Sequence, residues 1–222
     1  EKLSKPRYGE IIFNFTYKYP IEKKNIYLKK NKLIKIITLG RNHPKKNFKS
    51  INSIAESIYK LSQINFLWDI SGRGCTNLEN ISNKKYKVNY FESFDQIKSS
   101  NGNLSINNFM PAKRNFQMIS NYDFMIFPTF LEGLPLVIIE AMSCGVLVIT
   151  TDAPGLEDIN SVIKVDHKSK ILPKLIAEKL NELINDKDLF NNILLRQYSE
   201  FAEKFTISSN IKRYEKLYDL CP

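Results

Sequence analysis

Two carboxylates, Glu132 and Glu140, stand eight residues apart in the run FPTFLEGLPLVIIEAMSCGVLVIT from Phe127 to Thr150. A carboxylate accepts several hydrogen bonds, so two ribose hydroxyls can share one of them. Between the pair, Gly133 lets the backbone approach a ligand and Pro135 suits a first helical position. The helix that begins there offers free N–H groups to an anion. At about 1.5 Å rise per residue, Glu140 falls roughly 8 Å beyond Pro135 along the helix axis. A ligand touching both carboxylates must therefore be long, and a nucleotide-diphosphate sugar has that layout. Arg41 and Lys46 form a second group in the chain. An Arg fork and a Lys point charge are the residue types that neutralise a diphosphate.

Glu132-x7-Glu140, followed by Ala141-Met142-x-Cys144-Gly145, resembles the C-terminal, donor-binding half of retaining glycosyltransferases of the GT-B fold, the GT4-like group. The resemblance implies an α/β, Rossmann-like domain with a mostly parallel sheet, helices on both faces and a helical C-terminal extension. It implies that Arg41 and Lys46 contact the donor phosphates, Glu132 the donor sugar and Glu140 the ribose. Arg41, Lys46 and Glu132 are thus the expected catalytic residues. Gly40, Gly72, Gly74, Phe109, Met110, Gly133, Leu134, Pro135 and Glu140 are the expected donor-binding residues. No metal and no cofactor is implied; the donor is expected to be a UDP-sugar and the acceptor a glycan or a lipid-linked molecule. The acceptor domain, with the His that relatives use near the anomeric carbon, would come from an N-terminal half outside these residues. One departure concerns the base: many relatives place a Gly where this chain has Asn108-Phe109-Met110-Pro111, which leaves the nucleotide open.

The elements that must position these groups follow from periodicity. Residues 1–30 are expected to be linker or remnant of a preceding domain, 31–205 the nucleotide-sugar-binding domain and 206–222 a C-terminal crossover helix. Lys32–Leu39 reads as a buried strand, followed by the Arg41 to Asn47 loop and a helix from Phe48 with Ile51, Ile54, Ala55, Ile58 and Leu61 on one face. Ile64–Ser71 is a second strand ending in Gly72-Arg73-Gly74, either a tight turn or a ligand-facing loop. Polar residues 80–102 predict a short strand around Val88 and a helix around Phe91–Ile97. Asn103–Phe109 reads as a strand, Ala112–Asn121 as a helix and Tyr122–Pro128 as a strand. A helix then runs from Pro135 to Gly145, followed by the strand VLVIT. Glu157 reads either as a helix-start carboxylate or as a sugar contact. A last strand, Val162–Val165, precedes amphipathic helices over Lys170–Asp186, Leu189–Lys204 and Ser208–Leu220. Tyr214, Leu217 and Tyr218 on the last would be partly bare without an N-terminal domain.

Composition bounds the alternatives. At 222 residues and 43% hydrophobic, the chain can bury one large core but is too short for two full Rossmann-like domains. A net charge of +10 suits an anionic donor, an anionic membrane surface or nucleic acid alike. Nucleic acid is not expected, because no strand carries an RNA-binding signature of aromatic and basic residues. Cys75, Cys144 and Cys221 lack metal spacing and read as reduced thiols. No apolar run reaches the roughly 20 residues that span a bilayer, and Glu1 opens no signal peptide. A cytoplasmic protein is expected, peripheral at most on the inner membrane's cytoplasmic face. Asp186-Lys187-Asp188 has metal-carboxylate spacing but falls between helices. His43 and His167, the two histidines, are far apart in sequence and support neither a zinc set nor a catalytic triad. His43 reads as a polar loop residue or an auxiliary phosphate group. A glycosidase would use paired carboxylates, but a basic loop facing them has no part in hydrolysis. A nucleotide-sugar-binding module without transfer remains the competing class.

Overall fold

The computed structural model describes residues 15–16, 33–82, 85–93, 96–97 and 116–219. A seven-stranded sheet runs in the order β3-β4-β2-β1-β5-β6-β7. Its strands are β1 (Ile34–Leu39), β2 (Phe66–Ser71), β3 (Ile81–Ser82), β4 (Tyr86–Phe91), β5 (Phe124–Phe127), β6 (Leu147–Thr151) and β7 (Ile163–Val165). All pairs are parallel except β3 on β4. The helices are α1 (Ile51–Ser62), α2 (Leu136–Ser143), α3 (Leu172–Asn185), α4 (Lys187–Lys204) and α5 (Ile207–Asp219). This is the mostly parallel Rossmann-like sheet that the motif implied.

Central strands bury both faces and so read as continuous apolar runs: FMIF of β5 and LVITT of β6 are buried throughout. From β1 the chain order runs outward through β2 and β4 on one side and through β5, β6 and β7 on the other. Right-handed crossovers then put α1 and α2 on opposite faces. α3 joins α1 and α4 joins α2. Buried polar side chains bond one another within the sheet, Ser71 Oγ excepted: Trp68 Nε1 donates to Thr38 Oγ1 at 3.0 Å. Asp69 accepts from Tyr122 Oη at 2.7 Å and from Asn89 Nδ2 at 2.9 Å.

Helix boundaries depart from the periodic reading for local reasons. Two 3-10 turns, Pro44–Lys46 and Phe48–Ser50, precede α1, which starts at Ile51 rather than Phe48. Asn47, left-handed at φ 54, separates them. Ile51, Ile54, Ala55 and Ile58 face the core, whereas Leu61 is exposed. Pro135 is extended, at φ −77 and ψ 117, so it caps α2 rather than occupying its first turn. α2 ends through a left-handed Gly145, with Val146 N donating to Ala141 O at 3.0 Å, a Schellman-type stop. Asp186 of the Asp-Lys-Asp run accepts from Leu189 N at 2.9 Å and caps α4. No helix follows Glu157, which closes its own turn by accepting from Gly155 N at 2.8 Å. On α4, Leu195 is exposed while Gln197 and Glu200 are buried. Glu200 accepts from Asn160 N and Ser161 N. Burial pushes its carboxyl up, but bonds from Lys204, Ser161 and the backbone hold it below its ordinary range. β3 was not foreseen in the polar 80–102 stretch, and β4 is longer than expected. The expected strand 103–109, and residues 1–14, lie outside the described residues.

Candidate active site

Ligands in doubly wound sheets sit outside the carboxyl ends of the strands, where the strand order reverses. Here that point lies between β1 and β5. Gly40 and Arg41 leave β1 there; Pro128 and Thr129 leave β5. A cleft of about 400 Å³ opens at this place, lined by Arg41, His43, Lys45, Lys46, Leu131, Glu132 and Gly133. Its volume falls within the roughly 300–1,000 Å³ of small-molecule sites.

Lys46 and Glu132, 86 residues apart, meet in this cleft: Lys46 Nζ lies 2.6 Å from each carboxylate oxygen. Their side chains are 21% and 7% exposed, so the pair is largely removed from solvent and screening. Phe127 lies beneath, its ring centroid 5.0 Å from Nζ, a cation–π contact. The buried Thr129 hydroxyl donates to Glu132 Oε1 at 2.7 Å and lies 2.9 Å from Lys45 O. Phe130 N also donates to Lys45 O, at 2.7 Å. The loops after β1 and β5 are thereby tied together. The loop after β6 joins them: Glu132 N donates to Pro154 O at 2.9 Å. A Cβ at Gly155, whose φ is +91, would stand 1.8 Å from Glu132 O.

Of the residues expected from sequence, Arg41, Lys46, Glu132 and Gly133 line this one cleft. Arg41 is exposed, so its guanidinium is accessible to an anion. Gly133 has open space around its missing side chain, nothing within 4 Å of a built Cβ. Leu134 packs against the core, and Pro135 is buried. Gly72 and Gly74 have backbone work of their own. A Cβ on Gly72 would meet Gly40 O at 2.1 Å, and Gly74 N donates to Glu92 at 2.9 Å. Phe109 and Met110 lie outside the described residues. Glu140, on α2, is not among the lining residues of the cleft. Its side chain makes no hydrogen bond among the described residues, and burial pushes its carboxyl up to about 7. Such a carboxyl is short of donors and suited to hydroxyls that would supply them.

Sequence reasoning passed over one cleft residue and one support. Lys45 lines the cleft, as does His43, the residue read as a polar loop residue or an auxiliary phosphate group. Thr129 could have been noticed as a hydroxyl three residues before Glu132 at a strand end. At the ends of β6 and β7, Asp152, Asp166 and His167 lie within 4.8 Å of one another. His167 Nδ1 and Asp152 Oδ1 are 2.7 Å apart. His167 depresses the Asp152 carboxyl by hydrogen bonding.

A Rossmann-like domain with cations and a carboxylate converging at its switch point belongs to the doubly wound α/β class. Within it, the sequence matches the family of glycosyl transferases group 1 over residues 21–205, and this chain belongs to that family. An N,N'-diacetylbacillosaminyl-diphospho-undecaprenol alpha-1,3-N-acetylgalactosaminyltransferase of Campylobacter jejuni is 28% identical over 104 residues, covering 46% of this chain and 27% of that protein. An uncharacterized glycosyltransferase of Methanocaldococcus jannaschii is 28% identical over 117 residues, covering 49% of this chain and 32% of that protein. The match thus spans only about a third of either relative. Among solved structures, TarM superposes with a TM-score of 0.63 at 17% identity, over 94% of this chain and 38% of that one. Anabaena HepE in complex with UDP and glucose gives 0.57 at 17% identity, over 85% and 49%. These likenesses are ones of fold, that of GT-B glycosyltransferases.

Proposed function

We propose that this chain is the donor-binding, C-terminal half of a GT4-like retaining glycosyltransferase that moves a sugar from a nucleotide-diphosphate sugar to a glycan or lipid-linked acceptor. The observation that carries this reading is the convergence of Arg41, Lys46 and Glu132 at the switch point of the sheet. Arg41 and Lys46 stabilise the charge that grows on the departing diphosphate, electrostatic catalysis by positioned donors. Glu132 holds the sugar and Glu140 the ribose, and the anomeric configuration is retained. No metal is needed, since these cations meet the leaving-group charge; binding and transfer are expected to survive EDTA. UDP as the nucleotide is supported by HepE, whose structure was determined with UDP and glucose. A lipid-linked acceptor is supported by the Campylobacter relative, named for its undecaprenol-linked substrate. The rest of the site belongs to an N-terminal acceptor domain of the same enzyme.

No helix among the described residues is long and apolar enough to cross a membrane. The +10 charge supports a loose contact with an anionic, cytoplasmic-side surface, released by salt. The test of the donor assignment is a thermal-shift panel of UDP, GDP, ADP and their sugars. A ligand at 100 times its dissociation constant adds about 2.7 kcal/mol of stability. A panel with no shift from any nucleotide overturns the reading. A shift from nucleotide sugars without transfer in the full-length protein makes the chain a binding module instead.

A further inference from the structure

The cleft wall contains a histidine whose two ring nitrogens are in different situations. His43 is half-buried and lines the cleft beside Arg41, Lys45 and Lys46. Its Nδ1 accepts a hydrogen bond from Lys45 N at 3.2 Å, capping the 3-10 turn Pro44–Lys46. A neutral imidazole carries one proton, and a nitrogen that accepts cannot hold it. The proton therefore sits on Nε2, which has no partner among the described residues. Because Nδ1 is anchored to the backbone, the ring cannot turn without losing its cap.

We propose that His43 is a further donor-site residue, giving a fixed neutral Nε2–H to a phosphate oxygen of the bound nucleotide diphosphate. This inference rests on the donor-binding reading above. Phosphate is the acceptor the surroundings favour: three of the other cleft residues are cations, Arg41, Lys45 and Lys46, against one carboxylate, Glu132. A neutral N–H adds a directional bond there without adding to the repulsion among the cations. It also comes from the loop that carries Lys46, so one short turn sets both groups.

Two roles of the ring, capping and ligand contact, are separable by substitution. Asn reproduces the Nδ1 acceptor, being a good cap, but places nothing at Nε2. Gln reaches the Nε2 position with an N–H but does not cap. In the full-length protein, His43→Asn is expected to keep the wild-type Tm. It is expected to bind both UDP and inorganic pyrophosphate about tenfold more weakly, about 1.4 kcal/mol. His43→Gln is expected to lower Tm but bind both ligands more tightly than His43→Asn. If His43→Asn does lower Tm, the order of affinities of the two variants still decides. Wild-type affinity in His43→Asn, or an affinity of His43→Gln no better than that of His43→Asn, overturns the assignment. A loss for UDP without one for pyrophosphate overturns the phosphate contact. Absence of nucleotide binding in the wild type would instead bring down the donor-site reading itself.

Discussion

Glu140 carries a consequence for pH. Its carboxyl is pushed up to about 7 by burial, whereas the unfolded chain releases that proton near the ordinary carboxyl value of 4.5. Between those values the folded state holds more protons than the unfolded one, so stability falls as pH rises through this window. Each pKa unit corresponds to about 1.4 kcal/mol. Tm followed from about pH 5 to about pH 8 should fall more in the wild type than in Glu140→Gln. A parallel pair of curves would deny the buried, titrating carboxyl. Donor hydroxyls favour the ionised form, so UDP affinity should rise across pH 7 by more in the wild type than in Glu140→Gln; the ligand's own phosphate titration is common to both. Thr129 gives a second expectation at this scale. Thr129→Val removes the donor to Glu132 Oε1 at nearly constant volume and leaves a largely buried carboxylate short of a partner, worth about 1–3 kcal/mol. Tm and donor affinity should both drop, and Thr129→Ser should recover most of the loss. A neutral Thr129→Val would mean that Lys46 alone holds the carboxylate.

At the scale of elements, the site is made by three loops leaving the same edge of the sheet, after β1, β5 and β6. Two glycines in those loops should differ in how alanine affects stability. At Gly155 the positive φ and the 1.8 Å approach to Glu132 O force the backbone to move. Gly155→Ala should therefore cost at least about 1–3 kcal/mol and shift Glu132 enough to reduce donor binding. At Gly133 an added Cβ meets nothing within 4 Å, so Gly133→Ala should leave Tm unchanged. It should still weaken donor binding, because its methyl would occupy the space a ligand approaches. Calorimetry of both variants separates these effects. Equal Tm losses in the two would contradict the geometry of the loops.

In the proposed function, the whole molecule supplies one wall of a larger cleft. The matched part of the chain spans only part of each relative. In the proposed function, diphosphate and nucleoside are gripped here, and the sugar is completed by the acceptor domain. Isolated from that domain, these residues should bind UDP and UDP-sugars within about tenfold of one another, under about 1.4 kcal/mol. Turnover should require the N-terminal domain. Strong discrimination between sugar epimers, or full transfer by these 222 residues alone, would overturn that division of labour. On α5, Tyr214 and Tyr218 are 40% and 74% exposed.

The sequence by itself determined the alternation of apolar strands and amphipathic helices, since burial on two faces or one leaves its period in the chain. It also determined the Glu132-x7-Glu140 spacing and the basic loop after β1, because motif and loop lie within single strand-loop-helix units. Tertiary structure alone decided that Lys46 and Glu132 bond to each other across 86 residues. It decided too that Thr129 and Gly155 fix that carboxylate, and that His43 joins the cleft. Those contacts depend on β1 and β5 being neighbours, a product of crossover connections that no local pattern records. Burial of Glu140 likewise depends on what packs around α2, and helix spacing states only that a carboxylate is present. Boundaries such as Pro135 as a cap and Ile51 as the start of α1 turned on backbone geometry that residue preference leaves free.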